Sequence, residues 1–86
     1  MKSKFIIGEI MTQPMGLEIT AAVIFPECIP HADMAKIFVK DSIISAGFVG
    51  FNVNNRPFSY GESTDIGITA RGMKDNGLLE IALGMR

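Results

Sequence analysis

The only cysteine and the only histidine of this chain stand three residues apart, as Cys28 and His31, within the stretch E-C-I-P-H-A-D at residues 27–33. A thiol beside an imidazole is the pair that covalent catalysis uses: the base takes the proton and the sulfur attacks. A helix starting near residue 31 would place both at its positive end, a setting that suits a thiol nucleophile. Asp33 or Glu27 could then orient the ring. The same residues also describe a plain helix start. Pro30 pre-sets the first-turn φ, Asp33 offsets the dipole, and Cys28 and Ile29 are small apolar contacts. Two metal ligands fall short of the roughly four that a structural zinc takes, so no metal is expected.

A second group lies further along, at Arg56, Tyr60, Glu62, Ser63, Asp65 and Arg71. Polar side chains around a loop beside a tyrosine are a common way to build a small-molecule site. The alternative is a solvated turn in which Ser63 or Asp65 bonds the local backbone. No cofactor is expected, because the glycines of G-F-V-G-F follow the expected helix, whereas a dinucleotide fingerprint opens one.

The aromatics Phe48, Phe51, Phe58 and Tyr60 fall along one expected hairpin. Sheet aromatics can stack single-stranded bases, but such surfaces come with an electropositive groove. Here 8 basic and 9 acidic residues give a net charge of −1, and the basic ones are scattered. That argues against nucleic acid and for core packing or a subunit interface.

Elements must hold these residues in place, and 86 residues make one domain, over 1–86. A chain this short buries only about 60–65% of its unfolded surface. One cysteine cannot form an internal disulfide, so stability must come from apolar burial. With 48% apolar residues and a mean hydropathy of +0.30, disorder is excluded and a homo-oligomer is expected to cover the excess. Lys2 and Lys4 precede an apolar run that Glu9 interrupts, so no secretory leader is expected. Ala21 to Phe25 is far short of the roughly 20 residues that span a bilayer. The unpaired thiol fits the cytoplasm.

Two β-rich runs, at residues 4–11 and 17–25, flank a Pro14–Gly16 turn and predict a hairpin. The second run is apolar on both faces near its end, through Ala22 and Ile24, which predicts a central strand. A helical period then extends from about 31 to 46, with Gly47 to end it. Residues 48–53 alternate, Asn54 and Asn55 suit a tight turn, and Pro57 marks an edge strand. Ile66 and Ile68 predict one more strand. In the tail, Asn76-Gly77 signals a hairpin, yet Leu, Glu and Ala favour a helix over about 75–84, with Asp75 to cap and Gly84 to terminate it. The expected fold is α+β with order ββ-α-βββ-α: a mainly antiparallel sheet of four to five strands with both helices on one face. The functional expectation is a non-catalytic binding or accessory domain acting on a protein partner as a homo-oligomer. The alternatives are a small-molecule pocket near 56–71 and an enzyme using Cys28 and His31.

Overall fold

A computed structural model describes residues 2–12 and 16–85. Strands β1 (Ser3–Met11) and β2 (Glu18–Pro26) pair antiparallel along their full lengths, Ser3 opposite Pro26 and Met11 opposite Glu18. The Thr12 N–H donates to Leu17 O at 2.6 Å at the hairpin's end. The turn expected at Pro14 lies outside the described residues. Strand β3 (Ser45–Phe51) joins the other side of β1, and β4 (Pro57–Tyr60) joins β3. The sheet order is β2-β1-β3-β4, antiparallel throughout, and β5 (Glu62–Ser63) pairs with β6 (Ile68–Thr69) in a separate ladder. The fold is therefore α+β and mainly sheet, as the alternation patterns predict.

Asn52 shows how the β3–β4 turn forms. Its Oδ1 accepts from the N–H groups of Asn54 and Arg56 at 2.9 and 3.0 Å, while Asn55 takes the positive φ of 60° that asparagine tolerates. Pro57 opens β4 on the sheet edge, where its missing N–H costs no ladder bond.

Three features differ from the sequence expectation. Strand β2 is an edge strand, not a central one. Its two apolar faces have another cause: both faces of the sheet are covered. Phe5 and Ile7 pack with Val49 and Leu79 on one face, joined by Ala22 and Ile24. Ile6, which points the other way, packs with Phe25, Phe38 and Ala46, joined by Val23, Met34 and Ile43.

The helices consequently sit on opposite faces. Helix α1 (His31–Met34) lies on the Ile6 face, and α2 (Asn76–Ala82) lies on the Phe5 face. Helix α1 is also shorter than its periodicity predicts. It continues as a 3₁₀ turn, Ala35–Ile37, and stops where Phe38 turns extended (φ −94°, ψ 152°). Residues beyond Phe38 satisfy β1 instead. Val39 N–H donates to Glu9 O, Ile44 N–H donates to Ile7 O, and Ser42 Oγ accepts from Glu9 N–H. Strand β3 pairs with β1 only over Ser3–Ile7, so this segment serves the part of β1 that β3 does not reach.

Gly47 lies inside β3 rather than after a helix, and a Cβ there would stand 2.6 Å from Tyr60 O. The C-terminal segment is the helix that its Leu, Glu and Ala residues favour. A 3₁₀ turn, Gly72–Asp75, leads into α2, and Gly84 (φ 73°) ends it. Met85 N–H donates to Glu80 O and Gly84 N–H to Ile81 O, closing a Schellman cap.

Candidate functional site

His31 opens α1 and is buried, 2% exposed. Pro30, at the N-cap with extended backbone, directs it inward. The ring stands edge-on to Phe25 and Phe48, with centroids 5.3 and 6.1 Å away. Its Nε2 lies 3.0 Å from Gly47 O. A carbonyl only accepts, so Nε2 carries the proton and donates it. The other nitrogen, Nδ1, faces Asp65 Oδ1 at 3.7 Å, beyond hydrogen-bond length.

Asp65 reaches this place from the loop between β5 and β6. It accepts from Ser63 Oγ at 2.7 Å and from Ala32 N–H at 3.0 Å. Those two bonds hold its carboxyl below the usual carboxylate value, with a smaller contribution from His31. Ser63 is itself buried. The two stretches that sequence reading singles out thus meet in space, through Ser63, Asp65 and His31. The carboxylate nearest the imidazole comes from that distant loop, while Glu27 and Asp33 are exposed. Cys28 is free and exposed in the turn after β2. Among the described residues no hydrogen bond joins it to His31, whose nitrogens face Gly47 and Asp65. The assembly ties the start of α1 to β3 and to the β5–β6 loop.

The other expected site residues lie elsewhere. Arg71 Nε donates to Asp75 Oδ1 at 2.8 Å, and Arg71 N–H donates to Asp75 Oδ2 at 2.9 Å. Ser45 Oγ donates to the same Oδ2 at 2.6 Å. Burial pushes the Asp75 carboxyl up, but the bonds from Ser45 and Arg71 outweigh it and the net direction is down, while Ser59 Oγ donates to Gly72 O at 3.0 Å. Arg56 reaches Glu80 of α2 at 3.2 Å. Arg56 therefore fastens the β3–β4 turn to α2, and Ser45 of β3 fastens the sheet to the Arg71–Asp75 pair. Sequence reading misses Ser45 and Ser59 in this role, although period-2 alternation places both on the Val49 face.

Tyr60 belongs to an aromatic row on the opposite face. It stacks on Phe48 at 5.7 Å, lies 5.9 Å from Phe58, and Lys2 Nζ stands 5.3 Å from the Phe48 ring centre. Glu62 is exposed. Arg56, Tyr60, Ser63, Asp65 and Arg71 thus divide between the two faces of the sheet.

Among the described residues no pocket opens, and no group of three or more His, Cys, Asp or Glu residues could hold a metal ion. Among those residues, too, no helix is long and apolar enough to cross a membrane. What the surface does offer is a long open strand. Among the described residues no strand lies on the outer side of β2, and at its start Leu17 and Ile19 are 58% and 49% exposed. No known protein family, curated protein or solved structure matches this chain.

Proposed function

We propose that the protein acts by binding protein surface, without chemistry of its own, and that its working form is a homo-oligomer. The observation that carries this reading is the open β2 edge, with Leu17 and Ile19 exposed at its start. An unpaired strand is a template for another chain, because its outward N–H and C=O groups are ready to pair. The lack of a concave pocket among the described residues favours contact through faces and edges over enclosure of a small molecule. The division of Arg56, Tyr60, Asp65 and Arg71 between two faces points the same way. A reducing, cytoplasmic setting suits the exposed thiol of Cys28.

Light scattering coupled to size exclusion tests the reading. The expected result at micromolar concentration is a mass at least twice the 9.3 kDa of one chain. A clean monomer there overturns it.

A further inference from the structure

We infer that the surface bound by β2 is the β2 of a second copy, paired antiparallel about a two-fold axis at Ala22. This rests on the homo-oligomer reading above and names its interface.

Backbone parity comes first. The Thr12 N–H bond to Leu17 O shows that Leu17, and with it Ile19, Ala21, Val23 and Phe25, turn their backbone groups toward β1. Ile7 O and Glu9 O, which accept from Ile44 and Val39 on the other side of β1, give the same parity. The N–H and C=O groups of Glu18, Thr20, Ala22 and Ile24 therefore point out of the sheet. Pro26 has no N–H to offer. A two-fold axis at Ala22 sets Ala22 against its own copy, Thr20 against the partner's Ile24, and Glu18 against the partner's Pro26. The antiparallel pattern then supplies about eight inter-chain hydrogen bonds.

Charge selects the orientation. Glu18 is the only charged residue of β2 and sits at one end. Antiparallel self-pairing carries the two Glu18 side chains to opposite ends of the seam, ~26 Å apart at strand rise. Parallel pairing would bring them together, and it has no two-fold axis to close the assembly.

Side chains agree with this register. On the face that carries α1, the register sets Ala21 against the partner's Val23 and Ile19 opposite the partner's Phe25, whose ring its own chain already buries. Aromatic and β-branched cross-strand pairs of this kind stabilise sheets. Ile19, half-exposed in the single chain, gains a cover. The small Ala21 and Ala22 at the centre leave room for close approach.

The strand also lacks the usual edge protection. It runs nine residues in unbroken register with β1, with no bulge, no lysine, and a proline only at its end.

The experiment uses the full chain with Cys28→Ser, so that introduced cysteines are the only labels. Spin labels on Glu18→Cys are expected ~26 Å apart in the oligomer, and labels on Thr20→Cys about 13 Å apart, close enough for dipolar broadening. A companion variant, Thr20→Pro, removes an outward N–H and leaves the β1 ladder intact. It is expected to keep the wild-type amide spectrum of the core and to weaken self-association by at least about thirtyfold. If Thr20→Pro fails to fold, the label distances decide alone. A wild-type monomer defeats both this inference and the reading it rests on. An oligomer whose Glu18 and Thr20 label distances do not shorten toward Ala22 defeats the edge pairing and leaves the homo-oligomer reading standing.

Discussion

Asp75 is the most demanding single group in the molecule. Its carboxylate is fully buried, at 0% exposure, and is held by Ser45 and by the main chain and guanidinium of Arg71. Because its folded pKa lies below the ordinary carboxylate value of 3.8, its contribution is complete at neutral pH. That contribution is lost as pH falls through the lowered value. Asp75→Asn is therefore expected to cost about 3 kcal/mol at pH 7 by urea denaturation. The gap to wild type should begin to narrow below about pH 4, where the unfolded chain takes up its proton, and should close as pH falls through the lowered folded value. Equal gaps at pH 3 and pH 7 would mean that shape, not charge, sets the cost.

Cys28 is the opposite case. Its thiol is exposed, so it should react with a thiol reagent to completion in the folded protein, without denaturant. Cys28→Ser should change stability by no more than about 0.5 kcal/mol. Labelling that needs denaturant would place the sulfur inside.

At the scale of elements, β3 and β4 meet most tightly at glycines. A Cβ at Gly47 would stand 2.6 Å from Tyr60 O, which is backbone, and one at Gly50 would stand 2.5 Å from the tip of the Phe58 ring. A ring can swing aside and a paired carbonyl cannot. Gly47→Ala is expected to cost about 3 kcal/mol and Gly50→Ala about 1 kcal/mol, read from chemical denaturation. Similar losses at both positions would count against this account of the pairing.

The strands were the legible elements, because their signals are local. β-rich composition marks β1, alternation marks β2 and β3, the adjacent asparagines mark the turn, Pro57 marks the edge, and Gly84 marks the end of α2. Helix α1 misleads for a tertiary reason. Residues 38–46 carry a helical period, but Val39, Ser42 and Ile44 find backbone partners on β1 that a helix would forgo. Strand β2 misleads because apolar residues on both sides of a strand report that both faces are covered, and an edge strand satisfies that as well as a central one. The candidate site was legible only in halves. His31 and Asp65 each attract notice in sequence, but nothing local says that the β5–β6 loop folds over the start of α1.

For the whole molecule, two layers of cover on one small sheet leave little interior to spare. Phe5, Ile6 and Ile7 are all fully buried in sequence on β1, so this strand serves both cores at once. Ile6→Ala is expected to cost about 3 kcal/mol and to loosen the α1 side more than the α2 side. Hydrogen exchange resolved by residue would show the asymmetry, and uniform loosening would argue for a single core.

The two edges of the sheet, finally, are not alike. One is nine residues long and bare; the other, β4, has four residues and begins with Pro57. A body with two adhesive ends polymerises, whereas a body with one stops after a single joining. Pro57 and the brevity of β4 act as a terminator, so mass measured against rising concentration should level off at a finite assembly and not climb toward fibres.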